Sequence, residues 1–121
     1  MAWHTLEQPY TGDVISFERK AMDKTALLPV VEGTNMSTSF SHIFAGGYAA
    51  GYYGYKWAEV LDADAFALFK QTGIFNKDTA RSFRENILEK GNTEEPMTLY
   101  VKFRGQEPTV NALLERNGIK K

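Results

Sequence analysis

Residues 40–57 read FSHIFAGGYAAGYYGYKW. This stretch holds one histidine, four glycines, four tyrosines and a tryptophan in eighteen residues. A helix built only to pack would use Leu, Ile and Ala, because each interior glycine costs about 1 kcal/mol against alanine. The density of glycines and phenols therefore asks for a reason. At 100° per residue the segment divides into three stripes. Tyr48, Tyr52, Tyr55 and Glu59 share one face. Gly47, Gly51, Gly54 and Ala58 follow the same spacing beside it. Tyr53, Trp57, Val60 and Leu61 take the far side, which is large and apolar and is expected to bury. The small stripe is expected to admit another backbone at close range. The tyrosine stripe aligns three phenols, which stay protonated at neutral pH and donate hydrogen bonds to oxygen.

The flanks of the stretch extend this reading. His42 shortly precedes the helix, and Gly46–Gly47 forms a flexible joint at its start. Helix-start N–H groups attract negative charge. A histidine, a glycine joint and aligned phenols can together hold a peptide carbonyl and the oxyanion it becomes. Tyrosines at helical spacing also serve as half-buried packing residues with a wet hydroxyl, or as contacts of a stand-alone helical protein-interaction module. Spacing alone leaves these alternatives open.

The rest of the chain sets the frame. Its 121 residues suffice for one domain, and 43% are hydrophobic. A net charge of −1 argues against nucleic-acid and membrane-surface partners. The absence of cysteine excludes disulfides and thiolate metal sites. No leader and no apolar run of membrane-spanning length is evident, which leads us to expect a cytoplasmic protein. The opening MAWHTLEQP reads as the end of a helix with no cap ahead of it, as a cut inside a longer protein would leave.

No segment reads as a strand, so the expected fold is all-α with five or six helices. Helices are expected within 1–28, the second capped by Asp13 and running to about Leu28. A loop with a glycine hinge covers 29–47. A tyrosine-rich helix runs over 48–72, with a break or new cap near Asp62 or Asp64 and a stop at Gly73. C-terminal helices fill 76–121. Their signals are Asn76 as an N-cap, stops at Gly91 and Gly105, Pro108 in the first turn of the last helix, and a Schellman ending at Gly118–Ile119. Arg81, Arg84 and Arg104 read as a solvated helix face. His4 reads as a structural or surface histidine.

The run from His42 to Trp57 resembles the C-terminal signature of thimet-type zinc metallopeptidases, and SHIFAGGYAAGYY is most similar to the peptidyl-dipeptidase (dipeptidyl carboxypeptidase) branch. The resemblance extends through FRENILEKGN at 83–92 and LYVKFRGQEPTVNALLERNGI at 99–119, and covers nearly the whole chain. It implies the C-terminal part of a neurolysin-like zincin catalytic domain that hydrolyses short peptides. In that family an HExxH helix and a more distant glutamate bind one Zn2+, and the HExxH glutamate activates water. By position, Tyr55 is implied as the main donor to the tetrahedral oxyanion. His42, and Tyr48 on the Gly46–Gly47 loop, are implied to hold the substrate backbone, with Tyr52 lining the same channel. No HExxH occurs in these 121 residues, whose only histidines are His4 and His42. The zinc ligands are thus expected outside this chain, in a missing N-terminal part that would be its partner. The chain alone is expected to bind no zinc tightly and to be inactive.

Overall fold

In a computed structural model the chain is described over residues 1–120, and every regular element among them is helical. The chain divides into two compact units, residues 1–53 and 54–121.

The first unit contains one α-helix, α1 (Val14–Met22). Asp13 caps it as expected, its carboxylate accepting from the Ser16 N–H at 2.8 Å. The helix stops at Met22, short of Leu28. There the Thr25 and Ala26 N–H groups and the Thr25 hydroxyl all turn back onto the Met22 carbonyl, which closes a local turn in place of further helix. Leu27 and Leu28 consequently stand exposed. The chain opening is a single 3-10 turn, Ala2–Thr5, and His4 lies at the surface. Trp3 anchors this unit. Its ring packs on Phe17 at 4.0 Å and edge-on to Tyr10 at 5.7 Å and Phe44 at 6.1 Å. Its indole N–H donates to the buried Ser37 hydroxyl at 2.9 Å.

The second unit is built on α2 (Gly54–Thr72). Around it lie α3 (Lys77–Phe83), which continues as one π turn over Arg84–Leu88, then α4 (Pro96–Arg104) and α5 (Asn111–Arg116). Asn76 caps α3 through the Asp78 and Thr79 N–H groups. Pro96, which has no N–H to offer, takes the first turn of α4, and Gly105 ends that helix at φ +82°. Pro108 lies ahead of α5 instead of in its first turn, because α5 starts only at Asn111. The α5 ending is the expected Schellman motif. The Ile119 N–H reaches the Leu114 carbonyl and the Gly118 N–H the Glu115 carbonyl, with Gly118 at φ +70°.

The core of this unit is Val60 and Ala63 from α2 with Leu99, Tyr100 and Phe103 from α4. Phe69 and Phe83 extend it by packing on each other and on Phe103. Helix α2 does not break at Asp62 or Asp64. Asp64 is only 2% exposed, yet its carboxylate accepts from the Tyr100 hydroxyl at 2.8 Å and from Arg104 Nε at 3.0 Å. A buried carboxylate so paired is tolerable inside a helix, whereas an unpaired one is not. Arg104 therefore does not belong to a solvated face: its side chain is 10% exposed and ion-paired. Burial, then the hydrogen bond to Asp64 and its negative charge, push the Tyr100 phenol well above its ordinary pKa, so it stays a donor.

Two backbone features interrupt the expected 48–72 helix. Ala49 has an extended ψ of 127°, and Ala50 has φ +55°, the one left-handed non-glycine residue among the described residues. Neither fits a right-handed helix. Residues 46–48 form one 3-10 turn and 49–53 further turns, so the helix begins only at Gly54. Gly46 is also left-handed, at φ +67°, while Gly47 is not.

Two stability predictions follow from these contacts. Arg104→Met leaves Asp64 buried beside Tyr100 without its cation, and urea unfolding is expected to show a loss of about 3–5 kcal/mol. A loss below about 1 kcal/mol would mean that the pair does not hold α2 to α4. A Cβ at Gly46 or at Gly47 meets nothing within 4 Å, so backbone conformation alone separates the two sites. Gly46→Ala is expected to cost about 1–2 kcal/mol, and Gly47→Ala to be neutral or slightly stabilising. Equal effects would show that Gly46 is not held left-handed.

Candidate active site

The turns after Ser37 gather the candidate residues of the first unit by a chain of short backbone bonds. The Met36 carbonyl accepts from the Ser39 and Phe40 N–H groups, the Phe40 carbonyl from Ile43, and the Ser41 carbonyl from Phe44 and Ala45. His42 sits in the 3-10 turn Ser41–Ile43, and Tyr48 ends the turn Gly46–Tyr48. The tight bends fold the segment back so that the rings of residues 40, 42, 48 and 52 meet. The His42 ring lies 5.0 Å from Tyr48 and 5.1 Å from Tyr52. Tyr48 and Tyr52 lie 5.8 Å apart at 70°. Phe40, which the sequence did not single out, packs 5.4 Å from His42 and edge-on to Tyr52 at 4.7 Å. These separations suit tilted and edge-on aromatic packing, each such pair contributing about 0.5–1.5 kcal/mol.

The cluster is held but not closed off. Tyr48 is 41% and Tyr52 39% exposed, so both rings pack on one side and meet solvent on the other. Tyr55 belongs to the second unit, one residue into α2, and is 53% exposed. The expected single helical stripe of tyrosines is thus replaced by two settings. Tyr48 and Tyr52 are carried on turns around His42, and Tyr55 is carried on a helix, where Glu59 pairs with Lys56 at 2.9 Å. The expected helix N-terminus after Gly47 is also absent, since α2 starts at Gly54. The small stripe meets no close backbone: a Cβ at Gly47 or Gly54 has nothing within 4 Å, and one at Gly51 meets only the Ala49 and Tyr48 carbonyls at 3.8 Å, ordinary contact. Of the far stripe, Val60 is buried, but Trp57 is 50% and Tyr53 68% exposed. Trp57 and Leu61 border an apolar cavity of about 210 Å3 with Ile87, Met97, Leu99 and Tyr100.

A carboxylate fixes the root of the histidine loop. Glu18 of α1 accepts from the Met36 N–H at 2.9 Å, from the Ser37 N–H at 2.6 Å and from the Ser37 hydroxyl. Burial raises its pKa, but the hydrogen bonds from Ser37 and Met36 outweigh burial and hold the carboxyl below its ordinary value. No spacing signal links Glu18 to residues 36 and 37, because the contact spans eighteen positions and depends on how the loop returns to α1.

Among the described residues no group of three His, Asp or Glu side chains is placed to hold a metal ion. The described residues by themselves do not fit a zinc site. No helix among them is long and apolar enough to cross a membrane.

Comparison with known proteins agrees with the motif. The family model of peptidase family M3 matches residues 1–119. The chain is 47% identical over 116 residues to oligopeptidase A of Haemophilus influenzae, covering 96% of this chain and 17% of that protein. It is 56% identical over 95 residues to oligopeptidase A of Escherichia coli, covering 78% of this chain and 14% of that protein. To dipeptidyl carboxypeptidase of Salmonella typhimurium it is 39% identical over 121 residues, or 98% of this chain and 18% of that protein. Over the matched lengths, identity is higher to these oligopeptidases A than to this dipeptidyl carboxypeptidase. The chain spans about a sixth of the length of the curated relatives it matches. An all-α chain matched over nearly its whole length, with the histidine, glycine and tyrosine motif intact, belongs to peptidase family M3.

Proposed function

We propose that this chain supplies the substrate-gripping and oxyanion-stabilising part of a zinc-dependent peptidase that hydrolyses short peptides. The observation that carries the reading is the gathering of His42, Tyr48 and Tyr52 within 6 Å of one another on a solvent-facing loop of a family M3 chain. In this reading Tyr55 donates its phenolic proton in a hydrogen bond to the carbonyl oxygen of the scissile peptide, and the bond strengthens as that oxygen gains charge. His42 and Tyr48 hold the neighbouring peptide groups of the substrate, Tyr52 lines the channel, and Gly46 and Gly47 let the loop adjust around the bound chain. The zinc, its ligands and the water-activating glutamate belong to polypeptide outside these residues, which is also the partner that covers the exposed apolar side chains. The exposure of half or more of Leu27 and Tyr53 in the first unit and of Trp57 and Phe75 in the second supports that role. The chain alone is then inactive.

In the full-length peptidase, Tyr55→Phe is expected to lower kcat by about 10²–10³-fold on a fluorogenic peptide, with little change in melting temperature, since only one hydroxyl leaves. Unchanged turnover would remove Tyr55 from the mechanism. Hydrolysis of the same peptide by residues 1–121 with added Zn2+ would overturn the division of labour proposed here.

A further inference from the structure

Glu18 grips the start of the loop that carries the candidate residues of the first unit. Its carboxylate takes three donors from two successive residues, Met36 N–H, Ser37 N–H and Ser37 Oγ–H. Oε1 and Oε2 both accept from the Met36 N–H, at 2.9 and 3.0 Å. Ser37 is buried, and its hydroxyl oxygen takes the Trp3 indole N–H at 2.9 Å while its proton goes to Glu18. From this clamp successive backbone turns follow along the loop. Met36 accepts from Phe40, Phe40 from Ile43 and Ser41 from Ala45, and His42 stands in the middle of those turns. Trp3 also touches Phe44, on the far side of His42 in sequence. Charge-assisted bonds to backbone N–H groups are about twice as strong as neutral ones, and turns in a loop have few other constraints. The Glu18 carboxylate is therefore the strongest fixed point of the loop that carries the histidine.

We infer that Glu18 is a positioning residue of the peptidase. Its carboxylate is occupied by loop donors and acts on the substrate only through them. Through Met36 and Ser37 it sets where the His42 ring, and the Tyr48 and Tyr52 rings packed on it, present themselves to the peptide. The inference rests on the function proposed for His42, and the test separates the two. A misplacement of about 1 Å can cost up to about a hundredfold in rate, so a loosened clamp is expected to show in turnover before it shows in folding.

The test is a double-mutant cycle in the full-length peptidase, with kcat, KM and melting temperature measured for Glu18→Gln, His42→Ala and the pair. Gln keeps the volume of Glu but removes the charge and one acceptor oxygen. Glu18→Gln is expected to lower kcat by about tenfold or more when His42 is present, and by less than about twofold when His42 is already Ala. Ser37→Ala, which deletes one donor of the clamp, is expected to repeat the pattern with a smaller effect, and it carries the test if Glu18→Gln does not fold. Equal loss in both backgrounds, or a loss that tracks melting temperature alone, would show Glu18 to be a purely structural residue and overturn the inference. If His42→Ala leaves kcat unchanged, the function proposed for His42 falls, and this inference falls with it.

Discussion

The candidate site depends on a backbone constraint, the run of left-handed and extended residues between Gly46 and Ala50. Gly46 at φ +67° and Ala50 at φ +55° cannot enter a right-handed helix, and Ala49 between them is extended. Had the helix run from residue 48, Tyr48 and Tyr52 would point the same way as rungs on one face. As the turns stand, both rings fold back onto His42. Glycine tolerates its left-handed position at no steric cost, but Ala50 does not. Strain of that kind, about 1–3 kcal/mol per residue, persists only where surrounding contacts over-determine it, and it concentrates at binding and catalytic loops. The aromatic packing of His42, Tyr48, Tyr52 and Phe40 provides such contacts.

Each unit is pinned by one carboxylate, and the two are used differently. Asp64 sits in the interior of α2 and joins it to α4 through Tyr100 and Arg104. All its partners come from helices, which are rigid, so the bond secures packing. Glu18 lies on the flank of α1 and grips backbone N–H groups of a loop. Its partners have no helix of their own, so the bond secures conformation. Both carboxylates are compatible with their surroundings because each is held by hydrogen bonds from its neighbours. No buried side-chain nitrogen or oxygen among the described residues is left without a partner.

Much of the helical frame was legible in local signals. Asp13 and Asn76 cap their helices with the oxygens that their residue types predict, and Gly105 and Gly118 end theirs in the left-handed conformation. Caps and stops act over a turn of chain, so the sequence carries their full cause. Extents were less legible. The Thr25 hydroxyl ends α1 early by competing for a carbonyl, and α5 starts three residues past Pro108. The histidine and the tyrosines were legible as candidates because their residue types and motif stand out. Their arrangement was not, because helical periodicity continued through residues whose backbone does not follow it.

The sequence by itself determined the helical class, the caps, the membership implied by the long histidine, glycine and tyrosine motif, and which side chains are candidates for the chemistry. These rest on residue type and short spacing, which a linear chain states directly. Only the tertiary structure decided that Arg104 and Asp64 meet in the interior, that Phe40 joins the histidine cluster, and that Glu18 reaches across eighteen positions to hold the loop at Met36 and Ser37. Such contacts depend on where separate segments return in space. Return is set by the summed packing of many residues such as Trp3 and Phe17, and no single stretch of the sequence encodes it.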